Sequence, residues 1–126
     1  MKNSVTYNDS TLTKVVRNFL DKKSTFELDS DEKGNLLNIL MSLLIRLKDD
    51  YKLNCLDINQ VQIEDTAYYT FIFESALTAD TNPYKGQLAD AAVHFMNEFT
   101  DNDGTFINFI CLDQEYTLFQ FNFSIS

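Results

Sequence analysis

Residues 100–106, Thr-Asp-Asn-Asp-Gly-Thr-Phe, carry alternating acids followed by glycine, as the middle of a calcium loop does. An EF-hand loop takes oxygen ligands at its positions 1, 3, 5 and 12 and a glycine at 6. With Gly104 at position 6, Asp101 and Asp103 fall at 3 and 5. Positions 1 and 12 then fall on Phe99 and Ile110, where carboxylates are needed, and Phe99 belongs to an apolar helix stripe. Moving Asp101 to position 1 puts Leu112 at 12. Neither register provides the ligands, so no metal is expected and the stretch reads as a helix-to-strand turn. Asn102 and Gly104 are the residues expected to take left-handed backbone there.

His94 is the single histidine, and Asp90 stands four residues before it, a spacing that lets the two meet on a helix face. Such a pair can serve as a base and its orienting group, but it needs a nucleophile. No GxSxG, HExxH or strand-to-helix cysteine elbow supplies one. The three glycines, Gly34, Gly86 and Gly104, are too far apart for a dinucleotide or phosphate loop. Cys55 and Cys111 form no CxxC, and both lie in apolar strand-like runs, so buried free thiols are expected. These absences lead us to read the chain as non-catalytic and without a cofactor.

The carboxylates are unevenly placed. Residues 1–52 have a net charge of +1. Residues 53–126 hold one basic residue, Lys85, against eleven acidic ones, a net of −10. Charge of that sign repels nucleic acid and anionic membrane and attracts basic partners. The basic cluster Lys14, Arg17, Lys22 and Lys23 sits among acids, so no direct nucleic-acid binding is expected. Glu64, Asp65, Asp80, Asp90, Glu98, Asp101, Asp103, Asp113 and Glu115 fall at turns or on one helix face, with Tyr68, Tyr84 and Tyr116 beside them. Tyrosine provides contact area while a carboxylate steers encounter and pairs with Lys or Arg. These twelve residues are the candidate surface for a basic protein partner.

The elements that carry them follow from apolar periodicity. Leu12, Val15, Val16, Phe19 and Leu20 mark a helix over about 11–22. A short strand is placed at 25–28. The helix 31–51 is apolar on most of its circumference, with Asn38, Ser42, Arg46 and Asp49 as a narrow polar stripe, which predicts cover on more than one side. Strands at 54–63 and 67–77 flank a turn at Glu64-Asp65-Thr66. Within the first, the apolar phase changes near Asn59-Gln60, which predicts a bulge there. Asn82-Pro83 starts a helix, with Leu88, Ala91, Ala92, Phe95 and Phe99 buried. Strands 105–112 and 116–125 form a second hairpin around Asp113-Gln114-Glu115. In its last strand Phe119, Phe121, Phe123 and Ile125 alternate with Leu118, Gln120, Asn122 and Ser124.

The order α-β-α-β-β-α-β-β predicts one α+β domain, a mostly antiparallel sheet of two hairpins with three helices on one face. The start, MKNSVTYNDS, has no apolar run and no stretch is long enough to span a membrane, so a cytoplasmic protein with no membrane partner is expected. The functional expectation is a stoichiometric inhibitor of a basic or nucleic-acid-handling protein. Immunity proteins that neutralise nuclease toxins have this physical character, as do phage-encoded anti-defence inhibitors, including those that mimic nucleic acid. Two other readings stay open: a small-ligand-binding protein or enzyme with a pocket between the sheet and helix 31–51, and a homodimer or other self-assembly.

Overall fold

A computed structural model describes residues 10–22, 30–75, 85–115 and 117–126 of the chain. The strand expected at 25–28 and the helix start expected at Asn82-Pro83 lie outside them. Among the described residues are three helices, α1 (Ser10–Leu20), α2 (Ser30–Tyr51) and α3 (Lys85–Thr100), and four strands, β1 (Leu53–Ile63), β2 (Thr66–Ser75), β3 (Gly104–Cys111) and β4 (Leu118–Ile125). Apart from the strand at 25–28, the α+β order read from the sequence is the order of these elements.

The sheet is antiparallel throughout, in the order β1-β2-β4-β3. Each hairpin pairs with itself, and the two are joined through β2 and β4, with Phe71 opposite Phe121. Alternation along these central strands sends Phe71, Phe73, Phe119, Phe121 and Phe123 to one face, where all five are buried. Their rings close on one another and on α3. Phe71 meets Phe95 edge-on at 5.0 Å, and Tyr69 stacks on Phe123 at 4.9 Å. Such pairs add about 0.5–1.5 kcal/mol beyond the area they bury. Among the described phenylalanines only Phe106 is exposed; the others are in the core or packed against it.

The helices lie on that face. Helix α1 packs on β1, α3 on β3 and β4, and α2 against α1, α3 and β1. Three-sided packing accounts for the broad apolar surface of α2, whose Asn38, Ser42, Arg46 and Asp49 are exposed as expected. Asp31 and Glu32 stand in its first turn, where carboxylates oppose the positive helix end. Its last turn closes at Lys52, which takes left-handed backbone at φ 59° and donates its amide to Lys48 O at 3.0 Å.

Three expectations need correction. The bulge in β1 falls between Cys55 and Asp57, not at Asn59-Gln60. Gln60 needs no bulge to face the core, because its Nε2 donates to the Tyr69 hydroxyl at 3.1 Å. As a result Val61 and Ile63 stay on the outer face, each 56 % exposed. Cys55 is buried where α1 and α2 pack on β1, but Cys111, the last residue of β3, is exposed. The two sit on opposite edges of the sheet, about 14 Å apart at three strand spacings, and both are free thiols.

The third correction concerns the turn after α3. The left-handed residues are Asp101 at φ 54° and Asn102 at φ 67°; Gly104 is not left-handed. The turn is held by amide bonds from Asn102 to Asn97 O at 2.8 Å and from Asp103 to Thr100 O at 3.1 Å. Gly104 is required by proximity: a Cβ there would stand 2.8 Å from Met96 Cγ and 2.9 Å from Thr100 Oγ1.

Candidate functional site

The register of the sheet decides which carboxylates are neighbours. Ala67, Ile125 and Gly104 stand side by side across β2, β4 and β3. The Glu64-Asp65 tip of the first hairpin and the Asp101-Asn102-Asp103 turn therefore lie at the same end, about 10 Å apart at two strand spacings. Asp113 and Glu115, in the turn of the second hairpin, lie at the opposite end, where Glu74 pairs with Leu118. Strands of eight residues separate the two ends by about 26 Å. Four of the candidate acids are thus brought together at one end and two at the other.

The remaining candidates are dispersed or occupied. Asp90 and Glu98 are exposed on α3, on the helical side. Glu98 receives Arg46 Nη1 from α2 at 2.9 Å, an ion pair open to solvent on both sides. The side chains of Asp90 and His94 form no hydrogen bond or ion pair with each other. Asp80, Tyr84 and Tyr116 lie outside the described residues. Asp113 is consumed by its own turn: its carboxylate accepts the Thr117 amide at 2.8 Å, the Leu118 amide at 3.0 Å and the Thr117 hydroxyl. The Thr117 hydroxyl, and after it the two amides and the Cys111 thiol, hold the Asp113 carboxyl below the usual carboxylate range.

Between the two acidic ends lies the sheet face that no helix covers. Among the described residues its outward positions carry only two charges, Glu74 and Asp57, the latter 3.9 Å from the ammonium of Lys22, which follows α1. A polar row crosses its middle. Thr70 Oγ1 donates to Asn122 Oδ1 at 2.8 Å, Gln120 Nε2 donates to the same oxygen at 3.1 Å, and Asn122 Nδ2 donates to Asn108 Oδ1 at 2.7 Å. Beside this row, toward the Glu64-Asp65 end, Val61 and Tyr68 stand opposite each other and Ile63 follows, all exposed. Sequence reading found Tyr68 and the acids. It missed Val61 and Ile63, which only the true bulge position turns outward.

Among the described residues two clefts border the helices. One, of about 280 Å³, opens between α1, α2 and β1 and is lined by Leu12, Leu44, Lys48, Cys55, Leu56 and Glu74 among others. Burial pushes the Cys55 thiol far above its ordinary range, so it stays protonated. The other, of about 200 Å³, lies between α2 and α3 beside Arg46, Tyr51, His94 and Glu98. Among the described residues no three His, Cys, Asp or Glu side chains gather as metal ligands, and no helix is long and apolar enough to cross a membrane.

No family model matches the chain, and no curated protein or solved structure matches it.

Proposed function

We propose that the chain is a non-catalytic binding protein, a stoichiometric inhibitor that covers a basic or nucleic-acid-handling partner with the open face of its sheet. The supporting observation is the layout of that face. Depletion of charge at the centre, with tyrosine and apolar groups there and charge at the rim, is the composition that distinguishes a protein interface from the rest of a surface. Here the Asn108–Asn122–Thr70 row forms the uncharged centre, and Tyr68, Val61 and Ile63 continue it without charge toward the Glu64-Asp65 corner. Glu64, Asp65, Asp101 and Asp103 form the rim at one end and Glu115 lies at the other. In a chain of net charge −9, a sheet face with so little charge is poorly explained by solubility alone.

The rim carboxylates steer a basic partner and set its orientation, while the centre excludes water and provides affinity. A nucleic-acid backbone carries charge along its whole length. Acids grouped at two ends suit rim pairing better than phosphate mimicry. Both toxin neutralisation and anti-defence inhibition are served by this mode.

Capture of the partner with the native chain and with Tyr68→Ala tests the reading. Tyr68 is exposed, so the variant should fold; loss of a tyrosine anchor is expected to weaken binding about thirtyfold, about 2 kcal/mol. The partner's nucleic-acid-handling activity should vanish at one equivalent of the native chain. Equal binding by the variant, or a partner that stays fully active when saturated, contradicts it.

A further inference from the structure

Strand β3 is the outermost strand on its side of the sheet, and among the described residues nothing pairs with its outer edge. Natural edges are commonly blocked by a charged side chain, a proline or a bulge. The eight residues Gly104–Cys111 contain no charge and no proline, and the bulge at Ile107 is the one such device on the strand. Of the nine large apolar side chains exposed among the described residues, three fall on this strand, Phe106, Ile107 and Ile110, and a fourth, Leu112, directly follows it. Charge appears only at its two ends, with Asp101 and Asp103 before it and Asp113 and Glu115 after it.

We propose that this edge is a strand-addition site for an extended segment of the partner protein, one with a neutral centre of about eight residues and Lys or Arg at both ends. The inference rests on the reading of a basic partner given above and adds the place and conformation of its contact. Main-chain hydrogen bonds to β3 extend the sheet to a fifth strand. Apolar side chains at alternate positions of the segment cover Ile110 or Phe106, and the acidic turns fix its register. A second copy of this chain is a poorer occupant. Antiparallel pairing of two β3 strands end to end sets the Asp101–Asp103 turn of one against the Asp113–Glu115 turn of the other and brings both bulges together.

The test uses the full chain and, as probe, a cyclised β-hairpin peptide. Its outer strand carries alternating valine and threonine between paired lysines, and a control peptide is N-methylated along that outer edge. Amide NMR shifts and hydrogen exchange are expected to change over residues 104–112 and in the flanking turns. Affinity should fall about tenfold between about 50 and about 300 mM salt. Binding should be lost with the N-methylated control and in Ile107→Lys, which alters an exposed residue and keeps the spectrum elsewhere; Asp101→Asn with Asp103→Asn should weaken it several-fold. Undiminished binding of the N-methylated control overturns strand addition. Shifts confined to the open face and the Glu64-Asp65 tip overturn the edge assignment and leave the basic-partner reading standing. A probe that perturbs no part of the chain overturns the site. A concentration-dependent dimer abolished by Ile107→Lys gives the edge to a second copy instead and overturns the partner.

Discussion

At the scale of single residues, the structure separates acids that hold the fold from acids exposed to solvent. Asp113 belongs to the first kind. Its folded pKa lies below the ordinary value of 3.8, so the unfolded chain takes up its proton first as pH falls. The stability it contributes is present in full above that ordinary value and disappears as pH drops through the depressed folded value. Asp113→Ala should therefore lower the melting temperature at neutral pH, and the gap from the native chain should close below about pH 4. Thermal melts at a series of pH values read this directly; a gap independent of pH would remove the ionised carboxylate from the turn's stabilisation.

Gly104 is set by space. Its amide donates to Thr100 Oγ1 at 2.9 Å, and that hydroxyl donates to Met96 O at 2.8 Å. A methyl group at Gly104 intrudes on this buried pair, so Gly104→Ala should cost about 1–3 kcal/mol in urea unfolding. An unchanged midpoint would mean that Met96 and Thr100 can give way. The Arg46–Glu98 pair, by contrast, is 57 % and 52 % exposed, and pairs of that kind contribute about 0–1 kcal/mol.

At the scale of elements, β4 is the strand on which the sheet depends. It lies between β2 and β3 and places Phe119, Phe121 and Phe123 in the core. Deleting residues 121–126 removes two buried phenylalanines and much of the pairing between the two hairpins. Circular dichroism and thermal melts of the truncated chain should show no cooperative unfolding. A cooperative melt would contradict the central position of β4.

The alternation of β2 and β4 was legible in the sequence because aromatics recur at every second residue with small or polar residues between. The helices were legible for the same reason at their own period. The bulge of β1 was misplaced because Gln60 was counted as outward-facing, while a hydrogen bond to Tyr69 lets it point inward. The exposure of Cys111 and the burial of Cys55 depend on which strand ends the helices cover, and helix placement is not written in the strand itself. The helix stops at Lys52 and Asp101 show no glycine signature, since both residues accept left-handed backbone where flanking hydrogen bonds require it.

At the scale of the whole molecule, sequence supplied the acidic balance but not its grouping. Residues 64–65 and 101–103 are far apart in the chain, and only the β2–β4 pairing brings their turns to one end. That grouping, beside the uncharged face bearing Val61, Ile63 and Tyr68, is what turns an acidic chain into a directional surface. The three-sided packing of α2 supports the account from the other side. It leaves the sheet face, rather than that helix, as the broad surface without cover among the described residues.

The central claim is that these grouped carboxylates bind a basic partner. Its most direct test is the partner's affinity against salt for the native chain and for a variant carrying Glu64→Gln, Asp65→Asn, Asp101→Asn and Asp103→Asn. Asparagine also tolerates the left-handed backbone at Asp101, so the variant should fold with an unchanged melting curve. The account predicts an affinity loss of about tenfold or more at low salt and a shallower salt dependence, because fewer rim charges remain to be screened. Equal affinities with parallel salt slopes would contradict it.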